Sequence, residues 1–148
     1  MVGLNRRRDP MTGGETRLPD WTAREKIRTE LARNFLVEAG AGSGKTQVLV
    51  ERLAAILRAG AAGMEEIAAV TFTRKAAAEL RGRVQLELEK MFAAEPDATV
   101  RGRLGAALER LELGFIGTIH SFASLLLRER PIEAGVDPAF EEMDEAGE

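Results

Sequence analysis

The 148-residue chain contains no cysteine and a single histidine, His120. Disulfides and thiolate metal sites are therefore excluded, and a histidine metal cluster cannot form; the absence of cysteine also suits a reducing compartment. No apolar run approaches the ~20 residues of a membrane span, and Arg6-Arg7-Arg8 leads into no apolar signal segment. A soluble, cytoplasmic protein without membrane contact is expected. Hydrophobic residues make up 45% and charged residues 30%, which suits a folded core in one domain at most.

The net charge of −3 is unevenly placed. Residues 133–148 carry seven acids and no lysine or arginine, leaving 21 basic against 17 acidic side chains in the rest. The body is thus mildly basic, which is compatible with nucleic-acid contact but equally with a solvated surface.

Residues 39–46 read AGAGSGKT. The stretch matches G-x-x-x-x-G-K-[ST] with Ala39 in place of the first glycine. Polyphosphate binding needs several backbone N–H groups turned toward one point, and most side chains would obstruct that wrap. Ala39, Gly40, Ala41, Gly42, Ser43 and Gly44 are small enough to permit it, and a following helix adds its positive end. In such a loop Lys45 reaches the β- and γ-phosphates of ATP and Thr46 ligates Mg²⁺. An apolar strand, expected over 34–39, precedes the loop. Val48, Leu49, Leu53, Ile56 and Leu57 follow it at helical spacing.

Thr22 and Glu25 form a capping-box pattern that predicts a helix over about 22–33. The first 18 residues are polar and aperiodic and are expected to be a disordered lead-in. Residues 67–72 predict a second strand. From Lys75 onward Leu80, Val84, Leu88 and Met91 form one apolar stripe, with Glu79–Arg83 and Arg83–Glu87 as charge pairs. Pro96 breaks that helix. A weaker one carries Val100, Leu104, Leu108 and Leu111 despite Gly102 and Gly105, and its apolar face is expected to pack on the sheet. Residues 114–118 predict a third strand, followed by a helix over 119–130 that Pro131 ends.

Parallel strands joined by helices give the doubly wound α/β class, in which ligands gather at the carboxyl ends of the strands. Residues 39–46, 71–75 and 118–121 each follow a strand and should share one rim.

Three segments, VEAGAGSGKT (37–46), AAVTFTRKAAAELRGRV (68–84) and GTIHSFASLLLR (117–128), together resemble the N-terminal part of the UvrD-like superfamily 1 DNA helicases, nearest the RecB and AddA branch. The resemblance implies a P-loop NTPase with an incomplete RecA-like parallel sheet flanked by helices. Residues 19–132 would form it, and 133–148 would begin an inserted subdomain. It also implies ATP-driven 3′ to 5′ translocation on single-stranded DNA in repair or recombination, and it makes a nuclease or helicase subunit the candidate partner. By position Thr71, Phe72, Thr73, Thr118, His120 and Ser121 would face DNA, and Phe72 would offer a base a stacking platform. Phe72 also reads as an ordinary core aromatic, and His120 as a structural hydrogen-bonding residue.

Two departures stand out. Where many relatives carry an adenine-reading glutamine, this chain has Arg24, which leaves adenine selectivity open. No D-E-x-Q-D segment exists in the sequence, and Asp144-Glu145 follows no buried strand. The carboxylates that hold Mg²⁺ and orient the attacking water are thus absent, so the chain is expected to bind nucleotide without efficient hydrolysis. An uncovered strand edge beside the loop is the structural corollary. The alternatives are a non-catalytic nucleotide- or DNA-binding module and, with less support, a small P-loop kinase.

Overall fold

A computed structural model describes residues 2–4, 20–40, 42–137 and 139–140. Ten regular elements succeed one another: β1 (Val2–Leu4), α1 (Trp21–Thr29), β2 (Val37–Ala39), α2 (Lys45–Ala59), β3 (Ala68–Thr71), α3 (Arg74–Ala94), α4 (Ala98–Glu109), β4 (Phe115–Thr118), α5 (Ile119–Glu129) and α6 (Pro131–Ala134). Short 3₁₀ turns over Met64–Glu66 and Leu111–Leu113 lead into β3 and β4.

Every strand pairing among the described residues is parallel, but the strands make two separate pairs. Strand β3 runs beside β4 with Thr71 opposite Thr118, and β1 runs beside β2 with Val2 opposite Val37. The second edge of β2 has no strand partner among the described residues, as the sequence leads one to expect. Of the predicted lead-in, residues 2–4 instead form a strand, and the remainder lies outside the described residues.

The core lies between α2, α3, α4 and the β3–β4 pair. Leu80, Val84 and Leu88 of α3 meet Val50, Leu53, Ala54 and Leu57 of α2, Leu104 and Ala107 of α4, and Ala69 and Ile116 from the strands. The four-residue spacing of the α3 residues puts them on one side of the helix. Val84, Leu88 and Leu104 have no exposed surface. Helix α4 packs mainly on α2 and α3, whereas the sequence leads one to expect its apolar face on the sheet. Its glycines make this possible: a Cβ at Gly105 would lie 3.3 Å from Phe92 of α3, so the small residue admits the ring. Asp97 caps α4, accepting at 2.9 Å from the amides of both Thr99 and Val100.

Helix α1 starts one residue earlier than the Thr22 capping box predicts, with Asp20 at the N-cap position. Its far end is fastened by Arg52 of α2, which donates to the carbonyls of Ile27, Glu30, Leu31 and Arg33 and places its guanidinium 5.1 Å from the Phe35 ring centre. A cation at a helix C-terminus satisfies carbonyls that have no partner within the helix.

Candidate functional site: a phosphate loop and a separate strand-end surface

Between β2 and α2 the chain turns through two left-handed residues, Gly42 at φ 68° and Gly44 at φ 85°. Residues with a Cβ rarely adopt this region, so the glycines of the motif are conformational requirements here. Gly44 is also the N-cap of α2, and no side chain caps that helix end. The first-turn amides of a 15-residue helix therefore face the loop, an arrangement that favours an anion. Lys45 and Thr46 are exposed at its start. The Lys45 ammonium donates to the carbonyl of Ala39 and, at 3.3 Å, to that of Gly40. Both contacts are with exposed groups at the mouth of the loop, from which a phosphate can recruit the ammonium. Ala41 lies outside the described residues.

Arg24 adjoins this loop from α1. Its Nη2 donates to Asp20 Oδ2 at 2.9 Å and to the Ser43 carbonyl at 2.7 Å. The hydrogen bond to Asp20 is the chief cause that raises the Arg24 pKa above its ordinary value, against the opposing effect of burial. Sequence reasoning misses Asp20 as a site residue. Its four-residue separation from Arg24 on a helix is the available signal.

The other expected site residues collect at the ends of β3 and β4. Thr71 Oγ1 donates to the Thr73 carbonyl at 3.0 Å and, across the strands, to that of Gly117 at 3.4 Å. Thr73 caps α3 by accepting from the Ala76 amide. Thr118 is buried and caps α5, accepting from the Ser121 amide while pairing with the Ser121 hydroxyl at 2.9 Å. These hydroxyls shape the rim. Phe72, by contrast, is 90% exposed, which removes the core reading of this ring. His120 and Ser121 are exposed just past the end of the neighbouring strand. The phosphate loop follows a strand of the other pair, so the single continuous rim expected from the sequence is divided in two.

Among the described residues no helix is long and apolar enough to cross a membrane, and no group of three or more acidic or histidine side chains could hold a metal ion. A Mg²⁺ brought by a nucleotide fits the loop nonetheless, since magnesium is commonly held by few protein oxygens together with substrate phosphates and water. The exposed Thr46 hydroxyl would be one such oxygen.

Residues 21–147 match the family model of the UvrD/REP helicase N-terminal domain. The chain is 42% identical over 129 residues to an ATP-dependent helicase/nuclease large-chain protein of the AddA type from Heliobacterium modesticaldum, covering 86% of this chain and 9% of that protein. It is 33% identical over 123 residues to the protein of the same description from Ligilactobacillus salivarius, covering 83% and 10%. A DNA helicase II of Haemophilus influenzae is 40% identical over 121 residues, covering 82% of this chain and 14% of its own length. The chain thus spans roughly a tenth of the length of these curated relatives.

Proposed function

Because the chain belongs to the UvrD/REP helicase N-terminal domain family, we propose that it is the nucleotide-binding portion of an ATP-dependent DNA helicase or translocase of the UvrD, RecB and AddA type. Residues 39–46 hold the phosphates of ATP, Lys45 neutralises them and Thr46 contributes to Mg²⁺. The observation that carries this reading is the pair of left-handed glycines, Gly42 and Gly44, placed just before an uncapped helix N-terminus. That backbone is costly for other residues and suited to a bound polyphosphate.

Single-stranded DNA lies across the ends of β3 and β4. Phe72 stacks on a base there, and His120 and Ser121 offer donors to the backbone. Stacking accepts any sequence, as a motor stepping 3′ to 5′ during repair or recombination requires. A nuclease or helicase subunit is the expected partner, and the cytoplasm the expected place of work.

The chain by itself binds ATP without efficient turnover. The sequence has no D-E-x-Q-D segment, and no acidic cluster stands among the described residues. Hydrolysis requires carboxylates at the metal and the attacking water, and an arginine on the transferring group. ATP binding to the purified 148-residue chain, measured by calorimetry with and without single-stranded DNA, tests the first part. Binding that Lys45→Ala removes, without release of phosphate, is the expected result. Rapid DNA-stimulated hydrolysis by this chain would overturn the second part.

A further inference from the structure

We infer that Asp20 and Arg24 form a clamp that fixes the shape of the phosphate loop before nucleotide arrives, which makes Arg24 a positioning residue for polyphosphate rather than a reader of the base. Its functional meaning rests on the nucleotide reading proposed above; its geometry does not.

The contact joins residues distant in sequence. Arg24 Nη2 bonds the Ser43 carbonyl at 2.7 Å while Asp20 Oδ2 holds the same nitrogen at 2.9 Å. In a trans peptide the C=O and N–H of one unit point in opposite directions. Holding the Ser43 carbonyl on Arg24 therefore turns the Gly44 N–H away from Arg24, to the other side of the loop backbone. One donor of the phosphate cradle is thereby oriented. Gly44 belongs to the same arrangement, since a Cβ there would sit 3.4 Å from Arg24 Nη1 on a backbone already in the left-handed region.

The junction also gives up stability. Asp20 occupies the N-cap of α1 yet accepts no capping hydrogen bond, because its carboxylate is turned to Arg24. Asp20 Oδ1, Arg24 Nε and Ser43 Oγ are all buried without a partner. Buried polar atoms are normally satisfied, and a buried ion pair is often no better for stability than apolar packing. Three unpaired atoms in one junction argue that its purpose is the placement of the Ser43 carbonyl. For a base, little remains: Nη2 is doubly engaged, Nε is buried, and Nη1 lies against Gly44.

Two measurements on the 148-residue chain test the clamp. In nucleotide-free protein the Ser43 amide donates to Gly40 and the Val48 amide to Gly44, so both report on the loop by hydrogen exchange. Losing a hydrogen bond to a charged group should speed exchange there by about tenfold in Arg24→Ala and by less in Asp20→Asn, while amides of α3 stay as they were. In parallel, ATP, GTP and inorganic tripolyphosphate should all weaken by a common factor in Arg24→Ala. Unchanged loop exchange in both variants would overturn the clamp. So would a loss of ATP binding with GTP and tripolyphosphate binding retained, which would make Arg24 a base reader. If Arg24→Ala also exposes amides within α1, Asp20→Asn, which keeps every Arg24 atom, decides. If the parent binds none of the three ligands, the nucleotide reading fails, while exchange still decides the clamp.

Discussion

Leu88 of α3 has no exposed surface, whereas Leu36, at the entry to β2, is 67% exposed. The two leucines mark two differently built regions. Around α3 the helices and the β3–β4 pair enclose one apolar cluster. Around β2 the chain is held by polar ties, with Arg24 reaching the Ser43 carbonyl and Arg52 gathering the carbonyls after α1. A cleft lined by Ile27, Phe35, Val37, Lys45, Val48 and Arg52 opens beside the strand. Apolar burial is non-directional and gives rigidity in bulk, while hydrogen bonds from a guanidinium fix particular carbonyls in particular directions. The region with the lesser core is the one in which backbone direction matters for a ligand.

Substitutions should separate the two regions. The largest effect is expected for Leu88→Ala, which opens a cavity in the closed cluster and should lower unfolding free energy by about 2–5 kcal/mol, read by denaturant titration. Little change there would dissolve the contrast. Lys45→Ala comes next. Loss of its contacts to phosphate should weaken ATP by about 1.5–3 kcal/mol in calorimetry, while the melting temperature holds because the side chain is exposed.

Phe72→Ala should weaken single-stranded DNA by about 1–3 kcal/mol in fluorescence anisotropy and leave stability unaltered. A fall in stability instead would return this ring to a packing role, against its 90% exposure. Asp97→Ala removes the α4 cap and should destabilise the chain by about 1 kcal/mol without touching either ligand. The smallest effect, within about 0.5 kcal/mol, is expected for Leu36→Ser, the counterpart of Leu88→Ala in the open region.

Much of the closed region is legible in the sequence. The stripe of Leu80, Val84, Leu88 and Met91 predicts α3, and those residues do pack on or within the core. Helix breakers at Pro96 and Pro131 mark helix ends near the observed ones. The predicted Glu79–Arg83 pair forms at 2.5 Å. Such features are local: period, caps and breakers act within a few residues.

The open region is less legible. The strand before the loop covers Val37–Ala39 rather than 34–39, because no second neighbour extends its ladder among the described residues. The family resemblance points Thr71, Thr73 and Thr118 toward DNA, yet their hydroxyls bond within the protein, at strand crossings and helix caps. Nothing in a sequence distinguishes a threonine that caps from one that awaits a ligand. Asp20 is a further instance: its N-cap position suggests local capping, and only the folded chain shows its carboxylate committed to Arg24.

The sequence by itself determined the phosphate loop, its glycines, its lysine and the membership of the family, since these depend on residue types at fixed short spacing. Tertiary structure decided how the strands divide into two pairs, which aromatic stands exposed, and that Arg24 turns to the Ser43 carbonyl. Those outcomes join residues far apart in the chain, where the balance between burial and hydrogen bonding is settled only once neighbours are in place.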